Sequence, residues 1–367
     1  MPLPDTLRRL APRLLPLLAC ALALTAALSR IPTSDAPHWL VDAPQESALP
    51  PALHGERIPE SQDAESASLT QLADGRLAAA WSLPGEQPAI AFSILERNGW
   101  QAPGLIANRE STAGSTFAFS RRIDAPVLHA EGGWLHLWYA AHAVDARALA
   151  EMHHLESTDS GKRWQPPRRL NTGTPSGYRP VAPALPLADG GLGLSGLSGG
   201  DAAWFRFSPS GQLLEKSRLA SDTDVHHLAV TALSPTRALA LLRADATPHL
   251  QRQISDNAGL AWQAGETSDL ALARAPFALT RLQDGRLLLA GHPAGDSATL
   301  ALWLSADDGV HWQAARTLSQ AAEGASDFAF PALLTARDGR VHLIYRERGQ
   351  GLRHLVFTPA WLRGEAA

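Results

Sequence analysis

A turn followed by an apolar run recurs six times along this chain, and no other feature restricts the fold as much. It reads LADGRLAAAW at Gly75, AEGGWLHLWY at Gly133, LADGGLGLSG at Gly190, LSPTRALALL at Thr236, LQDGRLLLAG at Gly285 and ARDGRVHLIY at Gly339. The steps are 58, 57, 46, 49 and 54 residues. A period near 50 is the mark of a propeller or solenoid array. The runs after each turn are short and almost wholly apolar, as for strands packed on both faces. With 29 Gly and 27 Pro in 367 residues, short strands joined by turns are favoured over long helices.

A second landmark shares the period. STDSGKRWQ at 157–165, SDNAGLAWQ at 255–263 and SADDGVHWQ at 305–313 have one skeleton, Ser-x-Asp/Asn-x-Gly-x-x-Trp. The residues are Ser157, Asp159, Gly161, Trp164; Ser255, Asn257, Gly259, Trp262; and Ser305, Asp307, Gly309, Trp312. NGWQAP at 98–103 and FSPSGQL at 207–213 read as trimmed versions. An Asp or Asn side chain can bond its own turn's backbone donors. Glycine takes positive φ without steric cost, and Trp covers the turn with apolar area. The spacing therefore predicts stability rather than chemistry.

Each unit reads as strand, Gly turn, strand, strand, Trp turn, strand. Six such four-stranded units around an axis make an all-β, six-bladed β-propeller. The sixth unit has too little chain for its own outer strand. A segment within 37–60 is expected to pair with Gly351–Phe357 and close the ring, because an open ring leaves long unpaired edges. The expected organisation is a signal or anchor over 1–30, an N-terminal extension with the closing strand over 31–59, and the propeller over 60–362.

Arg8, Arg9 and Arg13 precede an apolar stretch from Leu14 to Leu28. That length is short for a membrane span and fits a signal peptide, with an uncleaved anchor as the other reading. LLAC at 17–20 resembles a lipoprotein box ending at Cys20, but the apolar run continues past it. The chain is thus expected to be exported, periplasmic or secreted, touching membrane only through this segment, and monomeric. Beyond residue 30, 28 basic residues face 35 acidic ones, which gives no support for nucleic-acid binding. Cys20 is the sole cysteine, so the mature domain offers neither a disulfide nor a thiolate metal site. Adjacent strand side chains point to opposite faces, so neither His153-His154 nor His226-His227 chelates as a pair. No metal or cofactor is expected. GLSGG at 196–200 fits the Gly-x-Ser-x-Gly elbow, but a strand rather than a helix follows Ser198.

Three Trp turns among six blade-length repeats resemble the Asp-box sialidases. The run DFAFPALLTARDGRVHLIYRERGQGLRHLVFTPAWL is similar to the last blade of the predicted-neuraminidase branch of that superfamily. The resemblance covers roughly residues 60 to 362. It implies a site on the propeller axis, at the starts of the innermost strands. There, arginines hold a sialic acid carboxylate, an Asp is the acid/base, and a Tyr assisted by Glu is the nucleophile. Guanidinium matches carboxylate bidentately, and a neutral Tyr avoids the substrate's own charge.

On this chain the strand starts offer Glu65 in the first blade, Arg121, Arg122 and Asp124 in the second, Tyr178 and Arg179 in the third, Asp224, His226 and His227 in the fourth, Arg274 in the fifth and Asp327 in the sixth. Arg243 and Arg353 lie on or near blade strands and join the candidate substrate-binding set. Asp124 or Glu65 would be the acid, and Tyr178 a substitute nucleophile. Arg57-Ile58-Pro59 resembles the family's arginine tripeptide, but Ser66 to Leu72 already fill the strand it should open. The blade-six Tyr slot holds Phe328 and Phe330. A sialidase-type hydrolase acting on an acidic glycan is therefore one expectation. A propeller that binds glycan or protein without turnover is the other, and an envelope part for polysaccharide assembly the third.

Overall fold

Each of the six Gly or Thr turns joins the innermost strand of a sheet to its second strand, so the sequence repeat and the structural repeat coincide. The computed structural model describes residues 37–116, 119–143, 150–173, 177–320 and 328–364, without the side chains of Ser319 and Gln320. The signal or anchor segment and Asp327 lie outside the described residues. Residues 38 to 367 form one unit. No helix among the described residues is long and apolar enough to cross a membrane.

Among the described residues there are six antiparallel sheets, blades I to VI, in chain order. Their inner strands are Ala67–Gln71, Arg122–Glu131, the broken pair Arg179–Pro180 and Leu185–Pro186, Val225–Ala232, Ala278–Arg281 and Phe328–Thr335. The outermost strand of blade VI is Leu53–Arg57, paired antiparallel with Gly351–Phe357 from Leu53↔Phe357 to Arg57↔Arg353. The first strand in the chain thus completes the last sheet. Before it, residues 38–52 run beneath the Gly turns. The Leu40 amide donates to Pro186 O at 2.9 Å, that of Trp39 to Pro235 O at 2.6 Å, and that of Gln45 to Gln283 O at 2.7 Å.

Six apolar clusters fill the six gaps between neighbouring blades. Alternate residues of a strand face opposite sheets: Leu135, Leu137 and Tyr139 pack toward blade I, and Trp138 toward blade III. Each fully buried Leu or Phe contributes about 1.5–3 kcal/mol. Polar side chains add register between the inner strands. Ser68 Oγ accepts from Leu128 N at 2.7 Å and Thr70 Oγ1 from Ala130 N at 3.0 Å.

The Trp turns work as expected and also staple blades. In the fifth blade, Ser305 Oγ donates to Asp307 Oδ1 at 2.9 Å and accepts from Gly309 N at 3.0 Å, while Asp307 Oδ1 accepts from His311 N at 3.0 Å. Ser157 with Asp159, and Ser255 with Asn257, repeat that pattern. Gly161, Gly259 and Gly309 stand at φ 86°, 88° and 79°. Each turn abuts the preceding blade. Trp164 meets Phe92 edge-on at 5.4 Å, and Trp262 meets Trp204 at 5.8 Å.

Candidate functional site

The inner strands converge on the axis at their N-terminal ends, and there they stop behaving as strands. Prolines 126, 180, 276 and 331 occupy these starts, and proline has no N–H for the ladder. The register slips between Asp124 and Val127, between Val225 and His227, and between Ala329 and Ala332. Such bulges re-aim side chains. Ala125 (φ 52°) and Phe330 (φ 54°) sit in the left-handed region, which costs a non-glycine residue about 1–3 kcal/mol. The surrounding ring holds that strain.

The result is a cavity of 510 Å³ lined by all six blades. Its ionisable lining is Glu65 from blade I, Arg122 and Asp124 from II, Arg179 from III, His226 and His227 from IV, and Arg274 preceding V. Phe330 and the four prolines supply apolar wall.

Two polar groups organise it. In the first, Arg122 Nη2 donates to Glu65 Oε2 at 2.9 Å, and its Nε forms an ion pair with Asp124 Oδ2 at 2.6 Å. Behind Asp124, His142 Nε2 lies 3.0 Å from Oδ1. His142 is 1% exposed. Burial alone would raise the Asp124 pKa. The His142 hydrogen bond and the charges of His142, Arg122 and Arg179 outweigh it and hold the carboxyl below its ordinary range. In the second group, Arg179 Nη2 donates to His226 O at 3.1 Å, and Arg274 Nη2 lies 3.3 Å from His226 Nδ1. Asp245 Oδ1 pairs with His226 Nε2 at 2.6 Å and Arg274 Nη1 at 3.6 Å. Burial, with the Arg179 charge, pushes His227 down to about 3, and its Nε2 lies 2.8 Å from Phe277 O.

Of the residues singled out in the sequence, Glu65, Arg122, Asp124, Arg179 and Arg274 come together here. Four others do not. Arg121 is exposed and lies outside the lining, because the strand's alternation sends Arg122 and Asp124 inward instead. Tyr178 is buried between blades II and III, edge-on to Phe205 at 5.1 Å with Lys216 Nζ 4.4 Å from its ring centre. Arg243 is 8% exposed and bonds backbone carbonyls, Leu272 O at 2.9 Å and Thr247 O at 3.0 Å. Arg353 lies on the third strand of blade VI, opposite Arg57 and Tyr345. Arg57 itself pairs with Glu347 at 2.6 Å on the outer strand. Phe328 stays outside the lining, with its ring edge-on to Tyr345. The Trp-turn residues lie on the outer turns, away from the axis.

His142 and Asp245 were not legible as site residues. Counting back from the Gly133 turn would bring His142 opposite Ile123, one residue short of its actual partner Arg122, because of the bulge. Ser198 ends one strand of a hairpin whose next strand is Asp201–Phe207, so the elbow context is absent.

Among the described residues, one group of ligand-type atoms lies away from the axis. His136, His154 and Glu156 bring theirs within 4.8 Å of one another. However, Arg168 Nε donates to His154 Nδ1 at 3.1 Å. Arginine only donates, so a neutral His154 carries its proton on Nε2, the atom 3.1 Å from His136 Nδ1. As bonded, that nitrogen has no lone pair for an ion. His153 faces the other way, stacked on Tyr139 at 5.3 Å.

The BNR repeat-like domain family matches residues 85–343. No curated protein matches the chain in sequence. Among solved structures, the Hadza microbial sialidase Hz136 superposes with a TM-score of 0.66 at 13% identity, over 82% of this chain and 66% of that one. A Dyadobacter fermentans protein of unknown function has a TM-score of 0.66 at 14% identity, over 83% and 99%. The intramolecular trans-sialidase from Ruminococcus gnavus has a TM-score of 0.61 at 10% identity, over 84% and 96%. At such identities the likeness is one of fold, and the chain spans about two thirds of the Hz136 sialidase. Six blades, three Trp turns and a match over most of the ring agree: the chain belongs to the BNR repeat-like domain family, as a sialidase-like propeller.

Proposed function

We propose that this protein is a glycoside hydrolase of the exo-α-sialidase type, and that its axial cavity takes the terminal acidic sugar of a glycan. The observation that carries the reading is the meeting of Arg122, Arg179 and Arg274, from three separate parts of the ring, in one cavity with Asp124. Guanidinium groups suit a sugar carboxylate. Arg122 is held between Glu65 and Asp124, so it organises the acids. Arg179 and Arg274 both lean on His226, so they are the groups assigned to the substrate's carboxylate. Phe330 and the prolines offer an apolar face to the ring carbons. The apolar stretch near the N-terminus favours action outside the cytoplasm.

Release of methylumbelliferone from its α-glycoside of N-acetylneuraminic acid tests the reading. Saturable release by the full chain is expected, with a raised KM on Arg179→Ala. Absence of release, alongside measurable binding of sialylated glycans, would make the protein a binding propeller instead.

A further inference from the structure

Tyr139, Tyr178 and Tyr345 are the only tyrosines in the chain, and none lines the axial cavity. Tyr139 is fully buried with its hydroxyl 2.8 Å from Thr112 Oγ1. Tyr178 lies under Lys216, and Tyr345 donates to Glu347 Oε1 at 3.3 Å. The blade VI aromatic that does line the cavity is Phe330, whose ring cannot bond an anomeric carbon. Covalent catalysis through an aryl glycoside has no residue to perform it.

The cavity does hold a carboxylate gripped from behind. Asp124 takes Arg122 on Oδ2 and His142 on Oδ1, and its side chain is 12% exposed. The bulge that follows it turns the backbone so that this carboxylate meets the cavity rather than the ladder. Glu65, by contrast, has a more exposed side chain, at 29%, bonded to Arg122 Nη2.

Resting on the hydrolase reading, we propose that cleavage is a single displacement by water, with Asp124 as the base and His142 as the residue that positions it. The water oxygen bonds to the anomeric carbon as the bond from that carbon to the leaving oxygen breaks. One water proton passes to the Asp124 carboxylate. The leaving oxygen takes a proton from solvent at the cavity mouth, and Asp124 later returns its own to solvent. The sugar is released with inverted configuration, as in glycosidases where a carboxylate activates water on the opposite face. His142 also keeps Asp124 ionised, the state a base requires.

The test follows released sugar by proton NMR before mutarotation, using full-length protein and the methylumbelliferyl α-glycoside of N-acetylneuraminic acid. The β-anomer is expected first. First appearance of the α-anomer overturns the single displacement and leaves the hydrolase reading standing. No release at all overturns the hydrolase reading and this assignment with it. Two variants test the roles. Asp124→Asn should lower kcat about hundredfold or more, within the range of general acid–base catalysis. His142→Gln should lower kcat about tenfold at little-changed KM and move the acid limb of the kcat profile to higher pH, because the amide can still bond Oδ1 but carries none of the His142 charge that lowers Asp124. An unmoved limb in a folded His142→Gln protein, checked by its melting curve, overturns the positioning role.

Discussion

Trp100 of blade I donates its indole hydrogen to Nδ1 of His354 in blade VI at 3.2 Å, so the first and last blades share a buried polar bond. His354 Nε2 lies 3.1 Å from His342 Nδ1, and the two rings stack at 15°. Blade II repeats this pair as His154 and His136, 3.1 Å apart. His136 and His342 each stand three residues past their turn glycine, Gly133 and Gly339. Trp100→Phe keeps most of the apolar area and removes the donor. Leaving a buried acceptor without it costs about 1–3 kcal/mol. Denaturant unfolding should show that loss with little change in the slope against denaturant.

The same histidines predict acid sensitivity. Burial holds His342 at about 4 and His354 at about 3 in the folded protein, against 6.5 when unfolded. Below pH 6.5 the unfolded chain therefore binds more protons. Stability is fully present above that value and falls as pH drops toward 4, by about 1.4 kcal/mol per pH unit for each such histidine. Unfolding free energies measured from pH 7 to 4 should show the slope. His342→Gln should flatten it; an unchanged slope would mean the pair contributes nothing.

Gly161, like Gly259, has no room for a side chain. It stands at φ 86°, and an added Cβ would lie 2.5 Å from the Phe92 ring in blade I. Gly161→Ala should destabilise by more than about 2 kcal/mol, because backbone strain and overpacking add. Binding of ligand on the axis should survive at temperatures where the variant is still folded. Calorimetry on the variant, with and without ligand, separates the two effects.

Arg122 and Arg179 should fail differently. Removing Arg122 leaves Glu65 and Asp124 without their shared partner, and breaking one side of a partly buried ion pair is costly. Arg122→Ala should therefore lower the melting temperature and kcat together. Arg179→Ala should mainly raise KM, by about tenfold or more, as lost charge-assisted contacts to a carboxylate imply. Equal losses of kcat and stability in both variants would remove the distinction drawn between the two arginines.

The repeat carried nearly all of the fold. Six turns at Gly75, Gly133, Gly190, Thr236, Gly285 and Gly339 each lie between an inner and a second strand, because turn chemistry and strand hydrophobicity are local properties. The site was legible as a region, and five of the nine candidate residues enter it. Glu65, Arg122, Asp124, Arg179 and Arg274 line the axis, whereas Arg121, Tyr178, Arg243 and Arg353 point elsewhere.

What the sequence alone determined is therefore the count of blades, the staple turns and the address of the cavity. What only the tertiary structure decided is which side chains enter it. A strand's side chains alternate with period two, so a single slipped residue exchanges one face for the other. The slips after Asp124, at His226 and at Phe330 depend on packing between blades far apart in the chain. Those same distant contacts set His142 behind Asp124 and closed the ring through Leu53–Arg57.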